Sequence, residues 1–408
     1  MGRQKLVVIG NGMAGMRTVE DLLALAPDKY EITVVGREPW GNYNRIMLSP
    51  VLSGEMRFED ILTHTPEWYA ANGILLLAGQ TAVEVDRRQR IVSTDKGTLL
   101  HYDRLLLATG SVPFVLPVPG HEHSDVISFR DIHDVGRMLA DAGSGKRVAV
   151  IGGGLLGLEA ASGMSRQGLG VTVVHDGEYL LNRQLDREAA GLLRQALEAR
   201  GIACRTAAAT TAIHADAGSG RLHKISFKDG SELPVDLVVM AVGVRPNVAL
   251  AKRIGLQVDK AILVNDTMQT FDPAIYAVGE CVQHRGTLFG MVAPLLEQAR
   301  VCANHLAEMG ISRYINRATA TTLRVSGVDL FSAGSLNEAE AEVLTFSDHH
   351  QGIYKKLLLK QERLVGAVLY GDTSDSAWYF SLMQAQSSVA LFRESLMFGR
   401  LDDASLAA

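Results

Sequence analysis

The sequence is poor in cysteine, in positive charge and in long apolar runs. Its 408 residues contain three cysteines, Cys204, Cys281 and Cys302, which lie too far apart for a CxxC pair, an iron–sulfur cluster or a structural zinc site. The 40 basic and 45 acidic residues give a net charge of -5. That balance argues against nucleic acid as the main partner, because neutralising phosphates needs a clustered basic surplus. No apolar run approaches the ~18 residues of a membrane span.

What is present fits a protein that forms cores. Hydrophobic residues make up 47% of the chain and charged residues 21%, and 408 residues are enough for about two to three domains. A sparse, odd set of cysteines fits a reducing compartment. The first apolar run, residues 6–9, is too short for the core of a signal peptide. We therefore expect a cytoplasmic protein with several domains.

Two stretches share one pattern. Residues 6–9 and 148–151 are short, fully apolar runs, which are typical of parallel strands buried on both faces. Each runs directly into a glycine fingerprint, GNGMAG at 10–15 and GGGLLG at 152–157, and then into a helical stretch and a second apolar strand. The pattern predicts two βαβ units.

The glycine fingerprints predict two dinucleotide sites. The first glycine permits a tight turn, the second lets the backbone approach a pyrophosphate, and the third lets helix and strand pack closely. The helix N-terminus then presents N–H groups and partial positive charge to the phosphates. Two nucleotides make chemical sense if one is a tightly held flavin and the other a transient hydride donor.

An acidic residue after the second strand of each unit would accept a hydrogen bond from a ribose hydroxyl. Glu38 is the candidate in the first unit, although it also fits a solvated loop charge. Asp176 is the candidate in the second unit and favours NADH over NADPH. Arg183 could instead bind an additional phosphate, but it also fits an exposed loop cation.

The rest of the chain predicts further elements. Residues 186–200 form an amphipathic helical pattern that ends before Gly201, and residues 237–244 read as a buried strand. The pattern changes after about residue 318. Apolar runs at 354–359 and 364–370 predict a hairpin, and a helical stretch follows at 378–383. We interpret this region as a small α+β domain.

Three further motifs carry a family resemblance. Leu105–Gly110 ends in ATG, residues 241–247 contain GVRPN, and residues 270–280 end in IYAVGE. With the two fingerprints, they resemble the pyridine nucleotide–disulfide oxidoreductase superfamily over residues 1 to about 310. In most relatives the last motif ends in Asp, where this chain has Glu280.

Within that superfamily the sequence is most similar to the flavoprotein part of assimilatory NAD(P)H nitrite reductase large subunits. The similar stretches are residues 9–15, 43–49 and 183–186. NADH:rubredoxin reductases are a more distant match, and the last ninety or so residues resemble the small C-terminal domain of both groups. The chain has no cysteine set for an iron–sulfur cluster or sirohaem, so it is not expected to reduce nitrite alone.

The resemblance implies an α/β fold with two Rossmann-like domains, one for FAD and one for NAD, and a small C-terminal α+β domain. The NAD domain is inserted in the FAD domain. The implied boundaries are 1–112 with 245–318 for the FAD domain, 113–244 for the NAD(P)H domain and 319–408 for the C-terminal domain.

The resemblance also implies roles for individual residues. Arg45 would lie at the flavin, where a fixed cation stabilises the anionic reduced form, although a surface arginine fits the same pattern. Glu159 would lie near the nicotinamide, although it also fits a first-turn helix charge. We predict these two residues as catalytic, with no metal site. The predicted cofactor-binding residues are Gly10, Gly12, Met13, Ala14, Gly15, Glu38, Arg45, Val83, Ala108, Thr109, Gly110, Gly152, Gly154, Leu155, Leu156, Gly157, Glu159, Asp176, Gly243, Gly279, Glu280, Val292 and Arg324.

The cysteines decide which chemistry is expected. A disulfide reductase needs a thiolate beside the flavin ring, and residues 41–51, the corresponding region, contain no cysteine. Packing is the favoured role for Cys204 and Cys281, with tuning of the flavin as the alternative for Cys281. Electrons should therefore leave the flavin directly.

The predicted function is an FAD-dependent NAD(P)H dehydrogenase that passes electrons to a redox protein or partner subunit. The resemblance implies the electron-input component of a nitrite reductase system, or a rubredoxin or ferredoxin reductase. The alternatives are an NADH oxidase or small-molecule reductase, and a scaffold that binds both nucleotides without catalysis. Arg87, Arg88 and Arg90 most simply mark an exposed connection between strands, or else a docking patch for an acidic redox protein.

Overall fold

The structure is a computed structural model that describes residues 2–325 and 327–400. Its α-helices are α1 (Met13–Leu25), α2 (Leu48–Leu52), α3 (Pro66–Ala71), α4 (Ile132–Leu139), α5 (Leu155–Arg166), α6 (Arg187–Glu198), α7 (Ala249–Arg253), α8 (Val292–Leu306) and α9 (Ser376–Ala385). Short 3-10 turns lie at Arg45–Met47, Phe58–Ile61, Glu338–Glu340, Ala390–Phe392 and Leu396–Phe398.

The strands of the described residues are mostly short. They are β1 (Gln4–Ile9), β2 (Tyr30–Gly36), β3 (Leu75–Ala78), β4 (Ala82–Asp86), β5 (Ile91–Thr94), β6 (Leu99–His101), β7 (Arg104–Leu107), β8 (Ser111–Pro113), β9 (Val126–Ser128), β10 (Arg147–Ile151), β11 (Gly170–Val174), β12 (Ala203–Arg205), β13 (Thr210–Ala215), β14 (Leu222–Phe227), β15 (Glu232–Pro234), β16 (Leu237–Met240), β17 (Val244–Pro246), β18 (Ile262–Val264), β19 (Ile275–Ala277), β20 (Val282–His284), β21 (Thr287–Leu288), β22 (Ala320–Val325), β23 (Val328–Gly334), β24 (Glu342–Asp348), β25 (Ile353–Lys360) and β26 (Arg363–Tyr370).

The chain divides into two compact units. The first contains residues 1–48, 56–112 and 244–316, and the second contains residues 49–55, 113–243 and 317–408. The short segment 49–55 therefore groups with the second unit, although the residues on both sides of it belong to the first. The predicted three-domain boundaries stay a prediction.

A five-stranded parallel sheet organises the first unit, in the order β19-β7-β1-β2-β3. The last four residues of β1 are buried, as a strand covered on both faces requires. Helices α1 and α8 pack against each other and bury Leu22 and Leu306, each 1% exposed. Each such leucine contributes about 1.5–3 kcal/mol of apolar burial. The order reverses at β1, so the carboxyl end of β1 is where an open α/β sheet binds its ligand.

The second unit contains a parallel sheet of the same kind and an antiparallel sheet. The parallel sheet has the order β12-β11-β10-β16-β9 and reverses at β10. The antiparallel sheet, β22-β23-β26-β25-β24, belongs to the C-terminal region, where α9 packs on β26. The fold is thus α/β with two Rossmann-like domains, the second inserted in the first, and a C-terminal α+β domain.

The predicted hairpin and helix of the C-terminal region are confirmed. Strands β25 and β26 pair antiparallel, and the two residues of the turn, Gln361 and Glu362, have φ angles of 50° and 56°. Positive φ at both central residues is the geometry that matches the twist of a two-residue hairpin. Helix α9 spans Ser376–Ala385, around the predicted 378–383.

The predicted strand 237–244 is wrong at its end. The structure ends β16 at Met240 and begins β17 at Val244. Gly243, with φ +112°, interrupts the extended backbone, because extended residues have negative φ. Among residues 2–325 and 327–400, no helix is both long enough and apolar enough to cross a membrane.

Candidate functional site

The first glycine fingerprint forms a tight turn between β1 and α1. Gly10 has φ +114°, and a Cβ there would lie 2.1 Å from the carbonyl oxygen of Ala108. A Cβ at Gly15 would lie 2.8 Å from the carbonyl oxygen of Gly10. Both positions therefore accept only glycine, since packing of the turn on β7 and α1 leaves no room for a side chain.

The middle glycine of this turn is different. A Cβ at Gly12 would meet no protein atom within 4 Å, so the surface beside it is open. Gly12 caps α1 without a side-chain hydrogen bond, and the first turn of α1 has no acidic residue. The first N–H groups of the helix therefore have no capping side chain and no helical acceptor. Such a turn fits the pyrophosphate of a dinucleotide.

The second fingerprint repeats this geometry. Gly152 has φ +123°, and its Cβ would lie 2.2 Å from the carbonyl oxygen of Ala241. A Cβ at Gly157 would lie 1.9 Å from the carbonyl oxygen of Gly152, whereas one at Gly154 would meet nothing within 4 Å. Gly154 caps α5 without a side-chain hydrogen bond. This turn fits a second pyrophosphate for the same reason.

Two predicted flavin-site residues contact each other after β2. The guanidinium of Arg45 donates a hydrogen bond to Glu38 Oε1, and the Tyr43 hydroxyl donates to Glu38 Oε2 at 2.6 Å. Arg45 also lies over the Tyr43 ring, 4.9 Å from its centroid. The ribose role of Glu38 stays a prediction. Each carboxylate oxygen carries a second lone pair, so these contacts leave acceptor capacity for a ribose hydroxyl.

The resemblance motifs of the first unit meet each other. Thr109 Oγ1 donates to the carbonyl oxygen of Asn247 at 2.7 Å, which joins the ATG and GVRPN motifs. Ser111 Oγ donates to Glu280 Oε2 at 2.8 Å. The backbone N–H of Gly279 donates at 2.9 Å to Gln298, a fully buried residue of α8. Sequence reasoning missed Gln298, because nothing in a lone glutamine on a helix marks its partner.

Glu159 lies on α5, seven residues after the first glycine of the second fingerprint. Its Oε2 accepts a hydrogen bond of 2.6 Å from Ser49 Oγ. Burial raises the pKa of the Glu159 carboxyl, and the Ser49 hydrogen bond partly opposes that rise. Sequence reasoning missed Ser49, which lies 110 residues away in the chain.

The acidic residue predicted for the second unit is accessible. The Asp176 side chain is 81% exposed and follows β11, as the prediction for a ribose acceptor requires. Its neighbour His175 accepts a hydrogen bond of 3.3 Å at Nδ1 from the backbone N–H of Gly153. Burial lowers the pKa of His175. At neutral pH the neutral imidazole of His175 therefore accepts the hydrogen bond from the glycine turn.

The cysteines are all free thiols. Cys281 is fully buried, and its Sγ contacts the carbonyl oxygens of Val278 and Leu107 at 3.2 and 3.7 Å. Burial raises the pKa of Cys281 and Cys302, and raises the pKa of Cys204 to about 11. These thiols are protonated at neutral pH and are not nucleophiles.

The other predicted cofactor residues lie as follows. Met13 and Ala14 begin α1, Leu155 and Leu156 begin α5, and Val292 begins α8. Val83 lies on β4 and is 37% exposed. Ala108 and Gly110 follow β7, and Gly243 lies between β16 and β17. Arg324 belongs to β22, but its side chain lies outside the described part of the chain.

The arginine cluster forms the turn between β4 and β5, as predicted. Arg87 turns inward: its Nε donates to Asp272 Oδ2 at 2.8 Å, and its guanidinium lies 4.8 Å from the centroid of the Phe271 ring. With Arg88 and Arg253 it lines a groove of about 480 Å³. Its role as a docking patch stays a prediction.

One group within the described residues has metal-ligating atoms close together. Asp131, His133 and Asp134 offer ligand atoms within 4.8 Å of one another. Asp131 caps α4 by accepting from the Asp134 N–H at 3.0 Å, and Asp134 accepts from Ser128 and from the Arg130 N–H. These hydrogen bonds explain the group as a helix start.

Two parallel sheets, each with a turn that leaves its middle glycine open, define a class of oxidoreductase that uses two nucleotides. The chain belongs to the pyridine nucleotide-disulphide oxidoreductase family, whose family model matches residues 4–305. A second model, the rubredoxin NAD+ reductase C-terminal domain, matches residues 320–387.

Relatives of known name extend the comparison. The chain is 46% identical over 391 residues to a nitrite reductase [NAD(P)H] of Bacillus subtilis, covering 96% of this chain and 48% of that protein. It is 41% identical over 398 residues to an assimilatory nitrate reductase electron transfer subunit of Bacillus subtilis, covering 97% and 51%. The chain thus spans about half the length of these relatives.

Among solved structures, the chain is similar to putidaredoxin reductase in its covalent complex with putidaredoxin. The TM-score is 0.85 at 26% identity, and the match covers 96% of both chains. The similarity therefore includes the C-terminal region as well as both nucleotide-binding folds.

Proposed function

We propose that this chain is an FAD-dependent NAD(P)H dehydrogenase that passes electrons to a redox protein or to a partner subunit. It would be the electron-input part of a system that reduces nitrite or nitrate. The names of its relatives, a nitrite reductase and an electron transfer subunit, support this assignment. The relative that binds putidaredoxin supports a small redox protein as the acceptor.

One observation carries the proposal: two open glycine turns occur without a reactive thiol. A bound flavin would accept a hydride from reduced nicotinamide and pass the electrons to an acceptor. A disulfide relay would need a thiolate, and the pKa of each of the three cysteines is raised by burial. The acceptor must therefore receive electrons without a cysteine of this chain.

The chain's own residues would share the work of binding. The turn 10–15 would hold the pyrophosphate of FAD, and the turn 152–157 would hold that of NADH or NADPH. Glu38 and Asp176 would accept from the ribose hydroxyls. The exposure of Asp176, with no arginine beside it on the same strand end, favours NADH.

The catalytic contributions would be electrostatic. Arg45 is a permanent cation that would stabilise negative charge gained by the flavin on reduction. Its contact with Glu38 fixes its orientation, since the pair restricts the rotamers of a long side chain. Glu159 would place a carboxyl near the nicotinamide. The remaining members of the proposed cofactor set are Met13, Ala14, Val83, Ala108, Thr109, Gly110, Leu155, Leu156, Gly243, Gly279, Glu280, Val292 and Arg324.

We also propose a cytoplasmic location. Three free cysteines fit a reducing compartment, in which disulfides rarely persist.

The test is an anaerobic titration of the FAD-loaded protein. NADH and NADPH are added separately, and the flavin absorbance is followed until it bleaches. Rapid bleaching, slow reoxidation by air and fast reoxidation by an added ferredoxin or rubredoxin would support the proposal. Fast reoxidation by air alone would favour an NADH oxidase, and bleaching too slow for turnover would favour a scaffold. Failure of the protein to bind FAD would refute the proposal.

A further inference from the structure

The segment 49–55 lies along one face of α5, the helix that opens at the second fingerprint. Leu52 is fully buried, and a Cβ built on Gly163 would lie 2.8 Å from its Cγ. The side chain of Gln167 donates to the carbonyl oxygen of Leu52 at 3.0 Å. Glu55 forms an ion pair with Arg166. At the end of α5, Arg166 and Gln167 follow Gly163 by three and four residues, so all three lie on one side of the helix.

Ser49 is the first residue of this segment and reaches the same face one turn earlier. Its Oγ lies 2.6 Å from Glu159 Oε2. Packing of Leu52 and the Gln167 hydrogen bond fix the backbone of the segment. The fixed backbone holds the Ser49 hydroxyl next to the Glu159 carboxylate. A hydroxyl that donates to a carboxylate favours the ionised form over the protonated one.

We propose that Ser49 is the positioning residue of Glu159: its hydrogen bond holds the carboxylate in one orientation and favours the ionised form over the protonated one. This inference rests on the proposed function for the place of Glu159 in the reaction. An ionised carboxylate near the nicotinamide would stabilise the positive charge that the ring gains when it gives up a hydride. A protonated carboxyl would lose that effect.

Few other charges act on this carboxyl. Burial and the Ser49 hydrogen bond are the causes of its pKa shift. On α5 itself, Arg166 is paired with Glu55, and on strand β10, which packs against α5, Arg147 is paired with Asp236. Strand β11 carries no charged residue, and the side chain of Arg324 on β22 lies outside the described residues. Ser49 is therefore the hydrogen-bond donor that opposes burial.

The test compares Ser49→Ala, Ser49→Thr and Ser53→Ala in the FAD-loaded full chain. Ser53 is the matched control, because it belongs to the same segment and donates to the carbonyl oxygen of Pro50 instead. Glutamate labelled with carbon-13 at the carboxyl gives the titration of Glu159 by NMR, with Glu159→Gln identifying the signal. The pH profile of flavin reduction by NADH is the second readout.

We expect Ser49→Ala to move the Glu159 titration to higher pH and to move the acid limb of the reduction profile with it. Ser49→Thr, which keeps the hydroxyl, should restore both, and Ser53→Ala should change neither. An unchanged Glu159 titration in Ser49→Ala would overturn the inference while leaving the proposed function intact. If NADH and NADPH fail to reduce the wild-type flavin, the proposed function fails, and the NMR titration still decides the role of Ser49.

Discussion

Replacing Gly154 by alanine should separate nucleotide binding from folding. Gly154 has φ -87° and ψ -177°, which alanine adopts without strain, and its Cβ would meet no protein atom within 4 Å. The N-cap change costs up to about 1 kcal/mol, and the lower entropy of the unfolded alanine chain returns about 0.4–1 kcal/mol. The net effect on the free energy of unfolding should therefore be small.

The same methyl group should weaken binding of the nucleotide. If the open surface beside Gly154 is where the pyrophosphate approaches, the methyl displaces it from at least one backbone N–H. A hydrogen bond to a charged group contributes about 1.5–3 kcal/mol, so the dissociation constant should rise about 10- to 150-fold. Calorimetric titration with NAD+ and the NADH dependence of anaerobic flavin reduction both measure this change.

Two further variants act as controls. Gly12→Ala makes the matching change in the first unit and should weaken retention of FAD rather than NADH binding. Gly157→Ala should damage the fold itself, because its Cβ would lie 1.9 Å from the carbonyl oxygen of Gly152. A Gly154→Ala protein with wild-type thermal stability and wild-type nucleotide affinity would refute the idea that the backbone at Gly154 touches the pyrophosphate.

Three other variants test separate parts of the structure. Asp186→Ala should cost about 2–4 kcal/mol in urea unfolding, since Asp186 caps α6 and accepts from the buried Lys356 at 2.8 Å. Burial alone would raise the pKa of Asp186, but hydrogen bonds from Lys356 and Tyr354 hold the pKa below its ordinary value. The stabilisation should therefore be full at neutral pH and should shrink as the pH falls below about 4. Asp176→Asn should lower the preference for NADH over NADPH, measured as the ratio of their kcat/KM values; an unchanged ratio would remove Asp176 from the ribose site. Cys281→Ala should leave flavin reduction by NADH intact, and loss of reduction in a folded variant would show that this thiol takes part.

The elements that the sequence predicted well are those with local signals. The run 6–9 and the fingerprint 10–15 determine a strand, a turn and a helix from adjacent residues, because buried strands need apolar runs and tight turns need glycine. The prediction failed after Met240, where residues 241–243, which include Gly243 at positive φ, separate two strands inside one mostly apolar run. Apolar periodicity does not distinguish one strand from two in such a run.

Contacts between distant side chains were beyond the reach of the sequence. Glu38 and Arg45 were each predicted as flavin-site residues, but their pairing with each other was not, although only seven positions separate them. Lys356 is 170 residues from its partner Asp186. The sequence does not distinguish a buried lysine from an exposed one. The role of Lys356 as a partner of Asp186 is visible only where β25 contacts the start of α6.

The segment 49–55 shows why a division by sequence and a division by packing can differ. Its neighbours in the chain belong to the first unit, yet Ser49, Leu52 and Glu55 contact α5 in the second. Boundaries implied by a family resemblance follow the order of the chain, whereas the face of a helix packs against residues that match it in shape and hydrogen bonding. The pKa of Glu159 shows the consequence. Burial on α5 raises the pKa of this carboxyl, and the Ser49 hydroxyl opposes the rise. Ser49 comes from a part of the chain that the sequence assigns to the flavin domain.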